Sequence, residues 1–289
     1  MKFVRYGRNG QEQPGLIDAQ GRLRSLGGLV DDIDARVFGP SGRQALRRID
    51  AEQLPLVTGR PRLGVPFVGI SKFIAIGLNY RDHANEAHMA IPASPIVFNK
   101  WTTCLSGPND AVLRPPGAHK LDWEVELGVV IGRETRFVRE ADALKHVAGY
   151  CLVNDVSERA YQLEQGSQWG LGKGCDTFGP VGPWLVSRDE IADPQDIDLW
   201  LDVNGERMQT GNTRDMIFGV AYLVAYLSRY MTLLPGDLIA TGTPPGVGMG
   251  RRPPRYLQPG DVVTLGSPQL GTQRQAIRAA SRAVSRVEV

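Results

Sequence analysis

Three acidic side chains next to short apolar runs constrain this sequence more than any other feature. Glu124 and Glu126 alternate with apolar neighbours in one strand-like run, and Asp155 follows the next apolar run. Successive strand side chains point to opposite faces, so the two glutamates share one face. Buried carboxylates repel one another and favour a cation such as Mg²⁺ or Mn²⁺. The pattern predicts a metal site, and a solvated strand face is the alternative.

Composition and charge favour a small-molecule partner. The 289 residues include 33 Lys and Arg against 31 Asp and Glu, and the basic residues are dispersed, which argues against nucleic acid or an anionic membrane as partner. Cys104, Cys151 and Cys175 are too widely spaced to indicate a disulfide framework or a zinc–thiolate site. The first residues lack the apolar core of a secretion signal, so we expect a cytoplasmic protein.

The sequence divides into a small first unit and a larger second one. Residues 1–65 contain short strand patterns and a helical stretch over Val30–Ile49, and predict a small α+β domain. The segment Thr58–Pro66, rich in Gly and Pro, reads as a linker. We expect residues 66–289 to form a β-rich second domain.

Local signals within the second unit predict a hairpin, a helix and a tail. Asn204–Gly205 between alternating segments is typical of a type I′ hairpin turn. Apolar residues recur at helical spacing over Met216–Tyr230, with possible caps at Asn212, Thr213 or Asp215. We expect the last dozen or so residues, with arginines from Arg274 onward, to be a poorly ordered tail.

A histidine and a glutamate follow the predicted strand that ends at Gly77. His83 and Glu86 are three residues apart, so on a helix the carboxylate can orient the imidazole for general-base work. A surface ion pair is the alternative. The following segment, 87–95, is rich in small residues and ends in prolines; it is predicted to be a lid over substrate, or else an ordinary surface loop.

Two glycine-rich segments could contact a ligand. Lys173 is flanked by glycines but lacks the first Gly and the following Ser or Thr of a phosphate loop. Its ammonium could approach a carboxylate or carbonyl oxygen, and a solvated loop lysine is the alternative. The turn Thr241–Thr243 could present hydroxyl and N–H groups to an anion, or be an ordinary turn.

Taken in order, these motifs resemble the fumarylacetoacetate hydrolase family over about residues 66–270. The resemblance implies an α+β, β-rich fold in which a mixed β-roll catalytic domain surrounds a Mg²⁺ or Mn²⁺ ion. It also implies a homodimer acting on 2-oxo acids or 1,3-diketones. The motifs that carry it are Asn79–Glu86, Asp122–Gly128, Asn154–Arg159, Lys173, Met216–Phe218 and Leu238–Gly248.

The resemblance also implies a role for individual positions. A 2-oxo acid would chelate the metal, which would stabilise the charge that develops when the adjacent C–C bond breaks. The implied metal ligands are Glu124, Glu126 and Asp155, the implied catalytic residues are His83, Glu86 and Lys173, and the implied substrate-binding residues are Arg81, Gln162 and Thr243.

Within the family, the motifs look most like hydrolases of 2,4-diketo-3-deoxy sugar acids from fuconate or rhamnonate breakdown, a group also labelled ureidoglycolate lyase. Such an enzyme would release pyruvate and a carboxylic acid. The alternatives are an acylpyruvase, an oxaloacetate decarboxylase, and an isomerase or hydratase of aromatic-degradation intermediates. A non-catalytic metal- or 2-oxo-acid-binding protein also stays open.

Overall fold

The computed structural model describes residues 1–86 and 90–281, without the side chains at positions 40, 43 and 83–85. No helix in these described ranges is long and apolar enough to cross a membrane. Its helices are Ala35–Phe38 (α1), Pro40–Arg47 (α2), Arg81–Glu86 (α3), Glu140–Ala143 (α4), Arg159–Leu163 (α5), Gly170–Lys173 (α6) and Val220–Leu227 (α7), with short 3₁₀ turns between elements.

Strands dominate the rest of the described chain. They are Lys2–Tyr6 (β1), Gln13–Ile17 (β2), Leu23–Ser25 (β3), Phe73–Gly77 (β4), Ile96–Lys100 (β5), Leu105–Ser106 (β6), Val112–Arg114 (β7), Leu121–Asp122 (β8), Val125–Ile131 (β9), Val147–Asn154 (β10), Ser157–Glu158 (β11), Gly179–Ser187 (β12), Asp198–Val203 (β13), Glu206–Asn212 (β14), Leu238–Ala240 (β15), Val262–Ser267 (β16) and Gly271–Ala279 (β17).

Two large mixed sheets build the core. The ten-stranded sheet has the order β3-β2-β1-β12-β10-β9-β15-β4-β5, with β6 paired to β12, and the five-stranded sheet has the order β14-β13-β16-β17-β7. Every residue of β9 and β10 is buried, which explains their nearly continuous apolar sequence. The five-stranded sheet contacts β9, β10 and β12. The predicted α+β, β-rich fold class is confirmed.

Buried glutamines join the two sheets. Gln273 Nε2 on β17 donates to the backbone oxygens of Leu152 on β10 and Gly182 on β12, both at 2.9 Å. Gln275 Oε1 accepts a hydrogen bond from Asn154 Nδ2 at 3.0 Å. These bonds satisfy amides that would be costly to bury without partners. They fix the five-stranded sheet against the strand that precedes Asp155.

The N-terminal residues extend the main sheet. β1 pairs antiparallel with β12, with Phe3 opposite Leu185. That residues 1–65 are a domain of their own stays a prediction. The predicted helical stretch Val30–Ile49 is instead two short helices, α1 and α2, because the backbone at Gly39 is extended before Pro40.

The hairpin at Asn204–Gly205 is confirmed. Both residues have positive φ, +53° and +82°, and Val203 pairs with Glu206 across the turn. The prediction for the end of the chain is wrong as far as Ala279, because β17 contains Arg274 and alternates buried and exposed residues. Residues 282–289 lie outside the described ranges.

The predicted helix over Met216–Tyr230 is much shorter in the structure. Only Val220–Leu227 is α-helical, with Gly219 as its N-cap. Asn79 holds the preceding residues out of the helix, because its side chain exchanges hydrogen bonds with the backbone of Phe218 at 2.8 and 3.0 Å. Asn212 is indeed a cap, but of the 3₁₀ turn Thr213–Asp215.

Candidate active site

The three acidic residues singled out in the sequence converge in the structure. One carboxylate oxygen each of Glu124, Glu126 and Asp155 lies within 4.8 Å of the other two, and all three residues are buried. Antiparallel pairing of β9 with β10 produces this convergence, because Asn154 lies opposite Val125. The Asp155 N–H then donates to Glu124 O at 2.9 Å.

Three buried cations surround two of these carboxylates. Lys173 Nζ lies 2.6 Å from Glu124 Oε2 and 2.8 Å from Asp155 Oδ2. Lys100 Nζ lies 2.6 Å from Asp155 Oδ1, and Arg159 Nη2 lies 2.7 Å from Glu124 Oε1. Lys173 was predicted from its glycine-flanked position, whereas sequence reasoning assigned no role to Lys100 or Arg159. Arg159 ends the motif Asn154–Arg159, and Lys100 ends the apolar strand β5; these positions are the sequence signals that could have identified the two residues.

Glu126 is the member of the triad with the least compensation. No cationic side chain of the described residues forms an ion pair with it, and its only hydrogen bond there is from the Gly242 N–H, at 2.8 Å. Burial, followed by the negative charges of Asp155 and Glu124, raises the pKa of Glu126 well above its usual range, while Lys173 opposes the rise. This carboxylate therefore favours an added positive charge in the site.

The turn at Thr241–Thr243 donates a backbone N–H to the Glu126 carboxylate. Gly242 has φ +99°, and a Cβ there would lie 2.7 Å from the Asn79 Cβ, so only glycine brings this N–H to Glu126. The Thr241 and Thr243 hydroxyls both donate at 2.9 Å to backbone oxygens of β9 rather than facing an anion. Thr243 nevertheless lines the cavity described below.

Arg159 links the triad to a neighbouring turn. Its Nε donates to Asp122 Oδ2 at 2.8 Å and its Nη1 to Gln162 Oε1 at 3.0 Å. Asp122 in turn accepts the N–H groups of Gly248 and Met249 at 2.7 and 3.0 Å. One buried guanidinium thus couples a triad carboxylate to the turn that borders the cavity. Gln162 lines that cavity, and its role in substrate binding stays a prediction.

Side chains also hold the peptide that joins the two glutamates. Gln209 Oε1 accepts the Val125 N–H at 3.0 Å, and Thr243 Oγ1 donates to Val125 O at 2.9 Å. Gln209 Nε2 donates to Thr243 Oγ1 at 2.7 Å. The sequence did not indicate Gln209, because a register shift in the β13–β14 pair places both Met208 and Gln209 inward.

Helix α3 carries the remaining predicted residues. Glu86 accepts the Gly246 N–H on both carboxylate oxygens, at 3.0 and 3.1 Å, which ties α3 to the 241–250 turn. Arg81 is exposed and does not line the cavity. The His83 side chain and residues 87–89 of the predicted lid lie outside what the structure describes, and residues 90–95 form a loop.

A cavity of about 60 Å³ opens beside the triad, with Glu124 and Glu126 in its lining. Its polar end contains Glu124, Glu126, Arg159, Gln162, Lys173 and Thr243, and its wall contains Ile76, Leu78, Phe98, Leu163, Trp169 and Met249.

Leu78 in this wall has an unusual backbone. Its φ is +52°, a left-handed conformation that costs a non-glycine residue about 1–2 kcal/mol. Asn79, the next residue, compensates through bonds to Phe218 and to Thr241 O, the latter at 2.8 Å. Strain of this kind is concentrated at functional sites.

Known proteins are similar to this chain in sequence and in fold. The family model described as "Fumarylacetoacetate (FAA) hydrolase C-terminal" matches residues 72–278. A protein of Burkholderia multivorans, whose name "Putative hydrolase" gives no substrate, is 58% identical over 281 residues, which are 97% of this chain and 100% of the relative.

Two solved structures are similar over 97% of this chain and 100% of their own. Fumarylacetoacetate hydrolase from psychrophilic Exiguobacterium antarcticum is 34% identical with a TM-score of 0.85. Maleylpyruvate hydrolase from Sphingobium sp. SYK-6, in complex with manganese (II) ion and pyruvate, is 28% identical with a TM-score of 0.81. By sequence and by fold, this chain therefore belongs to the fumarylacetoacetate hydrolase family of enzymes.

Proposed function

We propose that this chain is a divalent-metal-dependent hydrolase that cleaves a C–C bond of a 2,4-diketo acid and releases pyruvate and a carboxylic acid. The observation that supports it best is the meeting of three buried carboxylates within 4.8 Å, two of which, Glu124 and Glu126, line a cavity. The chain's family membership and the similar fold of maleylpyruvate hydrolase agree with this proposal.

The donor set fits a hard divalent cation. Glu124, Glu126 and Asp155 would hold the metal, since all three offer oxygen ligands, which Mg²⁺ and Mn²⁺ prefer. Burial, followed by the charges of Asp155 and Glu124, raises the pKa of Glu126, so an added positive charge would stabilise its ionised form. A bound dication would supply positive charge to the carboxylate and keto oxygens of a 2-oxo acid. Which of the two metals is used stays open.

Lys173 would hold the substrate beside this centre. Its ammonium has three N–H donors and uses two on Glu124 and Asp155, so the third can reach a carbonyl oxygen in the cavity. Phe98 lies under the ammonium, 5.3 Å from ring centroid to Nζ, and limits its orientation. Lys173 would thereby stabilise charge on the substrate oxygen as the bond breaks.

His83 and Glu86 are proposed to activate water. The bonds from the Gly246 N–H hold the Glu86 carboxylate beside the 241–250 turn, and Glu86 would orient the imidazole as a general base. The hydroxyl of water adds to the distal acyl carbon, and the bond from that carbon to the methylene breaks. The released proton goes to the methylene carbon, which becomes the methyl group of pyruvate.

Loss of diketone absorbance on incubation with an acylpyruvate and Mg²⁺ or Mn²⁺ tests the proposal. We expect turnover by the wild type, none by His83→Ala with metal affinity near normal, and loss of both by Glu126→Ala. Equal loss of metal affinity in the two variants would contradict the assigned roles. Binding without turnover of acylpyruvates, diketo sugar acids or oxaloacetate would instead support a binding protein.

The same acid panel separates the related reactions. Decarboxylation of oxaloacetate, or isomerisation or hydration of aromatic-degradation intermediates, would use the same polar end of the cavity. Release of CO₂, or conversion without C–C cleavage, would identify them. A homodimer is proposed from family membership alone, and light scattering of the purified protein tests it.

A further inference from the structure

We infer that the cavity selects 2,4-diketo acids with an apolar acyl tail over those with a hydroxylated or charged tail, and that Leu163 helps to determine this specificity. The inference rests on the proposed function, because it concerns the part of the substrate that points away from the carboxylate triad. It departs from the sugar-acid tail that the sequence motifs favour.

The polar groups of the cavity are concentrated at one end. Arg159 and Lys173 bond to triad carboxylates and Gln162 Oε1 accepts from Arg159, so these side chains lie together beside the triad, where their remaining donors face the 2-oxo acid end of a substrate. Thr243 Oγ1 donates to a β9 carbonyl and accepts from Gln209. Beyond these groups, the side chains of the described lining offer only the Trp169 indole N–H and the weakly accepting Met249 sulfur to hydroxyl groups further along a substrate.

The rest of the cavity wall is aliphatic and aromatic. It consists of Ile76, Leu78, Phe98, Leu163, Trp169 and Met249. A tail lying against these side chains would lose its own water contacts there. Loss of water contacts favours the binding of an apolar tail, whereas a hydroxyl group that loses water without gaining a hydrogen-bond partner weakens binding.

Close contacts hold this wall in place. The Trp169 and Phe98 rings meet edge to face with centroids 5.4 Å apart. Trp169 lies so close to Gly77 that a Cβ at that position would be 2.5 Å from the indole ring. Leu78 completes the wall from a strained, left-handed backbone. A wall built at such a conformational cost is consistent with a binding role rather than a chance apolar lining.

Leu163 offers a substitution that does not disturb the buried core. It ends helix α5, is 48% exposed and lines the cavity. Leu171 on helix α6 is 45% exposed and does not line the cavity, so it provides a matched control. The pair Leu163→Gln and Leu171→Gln therefore introduces the same amide at equally exposed leucines, inside and outside the proposed tail site.

The experiment compares kcat/KM for three 2,4-diketo acids of equal chain length, with an alkyl, a polyhydroxylated and a carboxylate-ended tail. The wild type should prefer the alkyl tail, and lengthening that tail should raise kcat/KM about fourfold per buried methylene. Leu163→Gln should lower the alkyl-to-hydroxylated preference about fivefold. Leu171→Gln should change it less than twofold, as expected for a substitution outside the site.

Each outcome decides one of the two claims. Turnover with equal or greater kcat/KM for the hydroxylated or carboxylate tail overturns the inference and leaves the proposed function standing. Equal effects of the two leucine substitutions also overturn it. If none of the acids is turned over, the proposed function fails, and calorimetric binding of the same three acids decides the tail: tighter binding of the hydroxylated or the carboxylate acid refutes apolar selection.

Discussion

Gln209 Oε1, on the five-stranded sheet, accepts the backbone N–H of Val125 at 3.0 Å and so fixes the backbone between Glu124 and Glu126. Glu124 and Glu126 flank that peptide. Their carboxylates can meet Asp155 only if the peptide keeps its position, which makes Gln209 a positioning residue for the proposed metal site.

Gln209→Leu is expected to weaken metal binding. Loss of groups that orient metal ligands typically lowers affinity about 10–100-fold. Gln273→Leu is the matched control, because Gln273 is equally buried but bonds to the backbone of Leu152 and Gly182 rather than to the backbone between the two glutamates. Both variants should lose about 1–3 kcal/mol of unfolding free energy through unpaired buried groups. Metal titration should separate them, and equal affinity in the two variants would refute the positioning role.

The buried ion pair of Lys100 and Asp155 is expected to contribute strongly to stability. Both side chains are fully buried, so Lys100→Met leaves a carboxylate oxygen without its counter-charge and should destabilise the fold by about 3–5 kcal/mol. Lys120→Met breaks a solvated pair with Glu164 and should cost far less, because exposed ion pairs contribute little to stability. Urea denaturation of the metal-free proteins measures both, and similar losses would contradict this interpretation.

The Asp18 carboxyl is expected to make the stability of the protein depend on pH. Burial alone would raise the pKa of this carboxyl, but hydrogen bonds from Arg24 and Arg22 outweigh it and lower the pKa well below its usual range. The ionised form is favoured in the folded state. Its contribution is therefore present above the unfolded pKa of about 3.9 and is lost as the pH falls below it.

Asp18→Asn should accordingly destabilise the protein at pH 7, and its difference from the wild type should shrink as the pH falls below about 4. Asp31→Asn is the control, since Asp31 is 84% exposed and pairs only at the surface with Arg36. Thermal unfolding followed across this pH range gives both differences. A deficit for Asp18→Asn that stays constant to low pH would count against the assigned pKa direction.

Local sequence patterns predicted the parts of the site that depend on strand geometry. Alternation over Glu124–Glu126, where β9 begins, placed the two glutamates on one face, and the Asn204–Gly205 turn predicted the hairpin. Lys100 and Gln209 were missed because their contacts with Asp155 and Val125 join distant segments, and no local periodicity encodes them.

The helix at Met216–Tyr230 was overpredicted for a related reason. Its apolar spacing continues through Phe218, but Asn79 binds that backbone in a tertiary contact and starts the helix only at Val220. Tertiary hydrogen bonds here override a local helical pattern.

Metal titration tests the central claim most directly. After chelation and buffer exchange, calorimetry with Mg²⁺ and Mn²⁺ should show one site per chain in the wild type, and the bound metal should raise the Tm. Glu126→Gln should remain folded but lose this binding, because it removes a triad carboxylate that forms no ion pair with a cationic side chain of the described residues. A wild-type protein that binds neither metal, or a Glu126→Gln variant that binds as tightly as the wild type, would contradict the account.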